Sequence, residues 1–129
     1  MRSVMAEMVY SMQEEICQRL SEIEQVGYRE DEWVREEGGG GRSRVFSDGT
    51  VFEKAGVNVS VVQGTLSPQA AKSMGGGHEL GDAALDFFAT GLSLVLHPKN
   101  PMAPTVHANS RYFERGDGTK HGRWWFGGG

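Results

Sequence analysis

Cysteine occurs once in the 129 residues, as Cys17, so no internal disulfide can form, which fits a reducing compartment such as the cytoplasm. Long hydrophobic runs are missing too. The longest apolar stretch, Phe87 to Leu96, is about half of what a membrane-spanning helix requires and is interrupted by Thr90, Gly91 and Ser93. It reads as a core strand. Basic runs are equally scarce: 13 Lys and Arg face 17 Asp and Glu, giving a formal charge of -4. Binding to a phosphate backbone needs a dense basic stripe, so nucleic acid is not an expected partner. The opening residues Met1 to Glu7 carry an acid where a secretory peptide would run apolar, and no small-residue cleavage site follows.

What is present is an ordinary soluble composition, 38% hydrophobic and 23% charged, with 19 glycines, about twice the usual share. Residues 1–129 suffice for one compact domain with its own core. From Ser3 to about Gln25, Met5, Met8, Val9, Met12, Ile16, Leu20 and Ile23 recur every three or four positions, the signature of an amphipathic helix, with Gly27 as its stop. The methionines are a core-facing stripe on this spacing and carry no chemistry.

Beyond an acidic cluster from Glu30 to Glu37, read as a solvated face, the run Gly38 to Gly41 suggests a flexible loop. It lacks the Lys-Ser or Lys-Thr pair of a phosphate loop, and a strand follows instead of a helix. Asp48-Gly49 between two β-prone runs predicts a hairpin whose central residues both take positive φ. Val57, Val59 and Val61 alternate with Asn58 and Ser60, as in a strand with one buried face. Ser67-Pro68 places an N-cap and a first-turn proline before a short helix through Ala70, Ala71 and Met74, ended by Gly75 to Gly77, and Asp82 to Asp86 suggests one further turn. Gly91 to His97 and Thr105 to Glu114 are strands on either side of a loop from Pro98 to Pro104, and Gly116-Asp117-Gly118 turns the chain toward Arg123 to Phe126. The fold class is therefore α+β, an antiparallel β-sheet flanked by helices.

The chemistry sits on the two later strands. Side chains alternate between faces, so Ser93, Val95 and His97 share one face and Leu92, Leu94 and Leu96 the other. On the next strand His107, Asn109 and Arg111 lie together, with Val106, Ala108 and Ser110 opposite. If residue 97 pairs with 105, then 95 meets 107, 93 meets 109 and 91 meets 111, and opposite residues in an antiparallel ladder point the same way. Ser93, His97, His107, Asn109 and Arg111 would then form one polar patch. A guanidinium can hold a carboxylate in two parallel hydrogen bonds, amide and hydroxyl groups can orient it, and imidazoles can move protons near neutral pH. By itself the pattern is more often a surface strand with structural histidines. His78 and His121, in glycine-rich turns, and Cys17, with no cationic neighbour in sequence, are set aside. Trp124 and Trp125 fit either a ligand pocket or a core.

Several blocks decide between these readings. Gly38 to Val45, Phe52-Glu53-Lys54-Ala55-Gly56-Val57-Asn58, Phe87 to Ser93, His97-Pro98-Lys99-Asn100-Pro101, Pro104 to Asn109, Arg111-Tyr112-Phe113-Glu114 and Trp124 to Gly129 are similar, in order and spacing, to oxygen-dependent coproporphyrinogen III oxidases. The resemblance implies oxidative decarboxylation of two propionates of coproporphyrinogen III to the vinyl groups of protoporphyrinogen IX, on the haem pathway. Molecular oxygen would be the co-substrate, with no flavin or nicotinamide. By position, His107 matches the family's proton donor, Ser93 a substrate contact, and Asn109, Ser110 and Arg111 its substrate-binding segment. Ser110 points away from its neighbours in a regular strand, so its contact would come through backbone or a bulge.

His97 and His107 match histidines suggested as ligands for a divalent metal. Family members are also homodimers and more than twice as long. In them an aspartate follows the glycines that here end at Gly129, and later segments add His and Arg groups. The expectation is an N-terminal portion holding half of an active site, exposing an apolar edge near Trp124 to Phe126. The competing expectation is a remnant acting at most as a tetrapyrrole- or metal-binding module.

Overall fold

The computed structural model describes residues 1–73, 85–116 and 123–129. One long helix, α1 (Arg2–Glu24), is followed by β1 (Arg29–Val34), β2 (Gly39–Ser47) and β3 (Phe52–Leu66). A short helix α2 (Pro68–Ser73) precedes β4 (Leu85–Pro98), β5 (Val106–Arg115) and β6 (Arg123–Gly128). The six strands form one antiparallel sheet in chain order, each pairing with its neighbours in sequence. An α+β architecture with a helix laid on an antiparallel sheet is thus what the sequence builds.

Helix α1 packs on one face of β3 and β4, where Val9, Cys17 and Leu20 meet Phe46, Ala55, Val57, Val59 and Leu92. Each such fully buried aliphatic side chain contributes roughly 1.5–3 kcal/mol. A second cluster, Met5 with Phe88 and Tyr112, seats the first turns of α1 over β4 and β5. The buried stripe is Met5, Val9, Gln13, Cys17, Leu20 and Glu24, while Met8 and Ile23 are exposed, so the helix is rotated from the all-apolar stripe that spacing suggested. Polar Gln13 belongs in the core because it is satisfied there. Its amide nitrogen donates to the carbonyls of Arg42 and Val57 at 2.8 and 2.9 Å, and its carbonyl oxygen accepts from Arg42 Nε at 2.7 Å.

Three local expectations change. The helix ends where its spacing does, but the stop is Gln25, whose φ of 55° is left-handed, in place of Gly27. The β2–β3 connection spans residues 48–51, and only Asp48 takes positive φ. Gly49 is required for space instead, since a Cβ there would overlap the Glu24 carboxylate, which accepts from the backbone N–H groups of Val51 and Phe52. Third, the glycine run is strand. Gly39, Gly40 and Gly41 pair with Val62, Val61 and Ser60, and a Cβ at Gly41 would strike the Trp33 indole and the Val59 carbonyl. The acidic stretch beside it supplies the edge strand β1, exposed throughout as a solvated face would be. The Ser67 cap is in place, its hydroxyl accepting from Ala70 N at 3.2 Å. Strand β4 begins at Leu85, so Asp86 is extended and makes no helical turn. The expected helix end at Met74 and Gly75 to Gly77, the turn from Asp82, the turn at Asp117-Gly118, and His78 and His121 lie outside the described residues.

Candidate active-site face of the sheet

Strand parity sorts the sheet's chemistry. On the α1 face, Arg44 is buried, pairs with Glu14 at 2.7 Å and Glu30 at 2.8 Å, and lies over the Tyr28 ring; Arg42 pairs with Glu14 at 3.1 Å and lies over Tyr10. Hydrogen bonding from Arg44 lowers the Glu14 carboxyl below its usual range, and the two acids raise the Arg44 guanidinium. Cys17, in the same layer, has its thiol pushed up by burial, which suits a packed and unreactive sulfur. The cations of this face are already matched.

The opposite face carries the polar patch. β4 and β5 pair with Val95 against His107, Ser93 against Asn109 and Gly91 against Arg111, the register that strand alternation suggested, with no bulge. Beyond the last ladder pair, Thr105 Oγ1 lies 3.5 Å from His97 Nδ1, holding His97 one position along the same face. Ser93, His97, His107, Asn109 and Arg111 therefore share one surface. Ser110, opposite Leu92, has its side chain on the α1 face; without a bulge it reaches the patch only through its backbone.

The third strand in adds residues that reading β4 and β5 alone leaves out. Asn58 is opposite Ser93, and Ser60 is opposite Gly91, so two rows cross the sheet: Ser43, Asn58, Ser93, Asn109 and Gly41, Ser60, Gly91, Arg111. These residues surround a cavity of about 110 Å³ lined by Asn58, Ser60, Gly91, Ser93, Asn109 and Arg111, with Leu92 and Ser110 at its edge. Among the described residues, Arg111 forms no ion pair, and Asn58, Ser60, Ser93, His107 and Asn109 make no side-chain hydrogen bond. Their hydrogen-bonding capacity is directed outward.

On one side this polar notch meets an aromatic strip. Phe87 stacks on Phe113 at 5.9 Å between centroids, and Phe113 meets Trp125 at 4.6 Å, all on the notch side of the sheet by register. Trp124 falls on the α1 side and is 64% exposed, so the adjacent tryptophans separate into different surroundings. At the other end, His97 lines a wider cavity of about 390 Å³ with Ser47, Asp48, Glu53 and Lys54.

Coproporphyrinogen III oxidase is the family whose model matches residues 4–129. The chain belongs to this family. It is 49% identical over its whole length to the mitochondrial oxygen-dependent coproporphyrinogen-III oxidase of Rattus norvegicus, covering 30% of that protein, and 47% identical to that of Homo sapiens, covering 29%. The oxygen-dependent coproporphyrinogen-III oxidase of Prochlorococcus marinus (strain MIT 9312) is 50% identical over 95% of the chain, 33% of its own length. The chain thus spans about a third of the length of the curated relatives it matches.

No described helix of the chain is long and apolar enough to cross a membrane. Among the described residues no group of three or more His, Cys, Asp or Glu side chains converges as a metal site would require. His97 and His107 share a face, but the described residues do not supply the further ligands a complete site needs.

Proposed function

We propose that this chain supplies the propionate-recognising wall of an oxygen-dependent coproporphyrinogen oxidase, as the N-terminal portion of a longer catalytic domain. The observation that carries the reading is Arg111: an exposed guanidinium without an ion pair among the described residues, at a polar notch beside an aromatic strip. An amphipathic ligand with acid arms on an apolar body matches that arrangement. Coproporphyrinogen III, after which the similar oxidases are named, is such a ligand.

For each arm, a C–H bond and the bond to the carboxylate carbon break. Carbon dioxide leaves, a vinyl group remains, and dioxygen accepts two electrons and two protons to become hydrogen peroxide. No flavin or nicotinamide enters this balance. Arg111 and Asn109 hold the carboxylate, Ser93 orients it by hydrogen bonding, and the Ser110 backbone borders the arm. His107, exposed on the same face next to this row, transfers the proton. A divalent ion at His97 and His107 would have to draw its other ligands from outside this pair. A cytoplasmic homodimer belongs to the same proposal, following the resemblance.

Coproporphyrinogen III prepared anaerobically, mixed with the purified chain and then exposed to air, tests the reading. The chain should bind this substrate and Arg111→Ala should bind it more weakly, whereas a chain that holds half of the site should form little or no protoporphyrinogen IX by itself. Binding without turnover would leave this molecule by itself a tetrapyrrole-binding module, and no binding at all would refute the propionate-recognising wall.

A further inference from the structure

We propose that Asn58 and Ser60 of β3 form the second wall of a subsite for a single carboxylate arm, facing Arg111 across Gly91. The inference rests on the reading above and extends it to residues on a strand outside the β4–β5 hairpin. β3 and β5 are both neighbours of β4, so the walls stand about 10 Å apart, twice the strand spacing. Between them Gly91 offers only backbone, and a Cβ there would press on the Ser110 carbonyl and the Arg111 Cα, narrowing the floor.

Size sets what can enter. A cavity of about 110 Å³ is well below the roughly 300–1,000 Å³ of pockets that enclose a whole organic ligand, so it accepts one arm while the ring lies outside. On the adjoining row Trp125, half-buried against the buried Phe113, offers the apolar surface where the body of such a ligand would rest. The chemistry of the second wall is that of donors: the Asn58 amide and the Ser60 hydroxyl, neither engaged by another described side chain, can each give a hydrogen bond to the carboxylate oxygen that Arg111 does not hold. A vinyl arm accepts no hydrogen bond. The second wall therefore separates the acid arm from its decarboxylated product.

The test titrates the full chain with coproporphyrin III, the aromatic and fluorescent tetracarboxylate, and with its tetramethyl ester. Asn58→Asp, which replaces the donor by a negative charge, is expected to weaken coproporphyrin III binding by about tenfold or more, and Ser60→Ala by about threefold to tenfold. The uncharged ester should be affected less by either substitution than the tetracarboxylate, and the urea midpoint of both variants should be unchanged. If both variants bind coproporphyrin III as the parent does while Arg111→Ala binds it more weakly, the second wall is wrong and the propionate-recognition reading stands. If Arg111→Ala is also without effect, or the parent does not bind coproporphyrin III, that reading falls and the second wall with it.

Discussion

Glu24 closes the end of α1 onto the β2–β3 connection, and removing its carboxylate should loosen that junction by a calculable amount. The residue is 1% exposed, with Oε1 accepting from Val51 N at 3.0 Å and Phe52 N at 3.3 Å, and Oε2 from Phe52 N at 3.2 Å. Leaving a buried donor unpaired costs about 1–3 kcal/mol, and because these N–H groups are only part-buried the low end applies to each. Glu24→Ala should therefore cost about 2–3 kcal/mol, and Glu24→Gln, which keeps one acceptor, about half that. Gly49→Ala attacks the same junction from the other side, driving a Cβ into the carboxylate, at about 1–3 kcal/mol. In the double variant that clash is gone, so the combined loss should be close to that of Glu24→Ala alone, a coupling of about 1–3 kcal/mol, equal to the Gly49→Ala loss. Urea unfolding followed by tryptophan fluorescence gives all four corners of the cycle. A Glu24→Ala loss under about 0.5 kcal/mol, or additive losses, would refute the argument that the carboxylate pins this loop.

Gly41→Ala should cost about 1–3 kcal/mol by forcing the Trp33 indole and the β3 backbone away, and Trp33→Ala should relieve part of that loss in the double variant; equal unfolding midpoints for Gly41→Ala and the parent would contradict it. Burial holds the Cys17 thiol above the usual thiol range, so the neutral form is favoured in the folded state, and this contribution is full below the unfolded thiol's pKa and declines as pH rises beyond it. Tyr112, raised by burial and by donating to Glu114, acts in the same direction. Urea midpoints from neutral pH upward should fall less steeply for Cys17→Ala than for the parent, and identical slopes would remove Cys17 from the explanation. Trp124 at 64% and Phe126 at 61% exposure sit on the edge strand β6, so the chain should self-associate, and Trp124→Lys with Phe126→Lys should reduce this; a monodisperse parent in sedimentation velocity would contradict it.

The polar patch was legible from sequence because side-chain parity in a strand is fixed, and the short Pro98 to Pro104 connection leaves little freedom in how β4 and β5 align. The same parity exposes Ser110 as the residue of its triplet that cannot present a side chain there. Asn58 and Ser60 also alternate with buried valines, but nothing local places β3 beside β4. Ser60 and Gly91 are joined by a long connection, so their pairing is a property of the whole sheet. The glycine run was misread because glycine has no side chain with which to show period-two alternation. Its strand character follows from close approach of the neighbouring backbones and of the Trp33 ring, neither of which is local in sequence. The end of α1 near Gln25 follows from where the apolar spacing stops, but the residue that takes the left-handed turn does not: glycine is favoured there, yet a side chain free in solvent tolerates the same conformation at modest cost.

Arg111 is placed differently from the arginines that meet α1, and that difference locates the site more firmly than any one histidine. Arg42 and Arg44 are held by Glu14 and Glu30 and covered by Tyr10 and Tyr28, so they act within the fold. At the end of the sheet Arg2 is likewise taken up by Glu114 at 2.9 Å. Arg111 departs from this pattern: it stands in a row otherwise composed of glycines and one serine, where no carboxylate of the paired strands can reach across the ladder to it. A guanidinium so placed gains little for stability, because water already solvates it. Its free energy of interaction is available to an incoming anion, and the neighbouring amides and hydroxyls decide which anion fits.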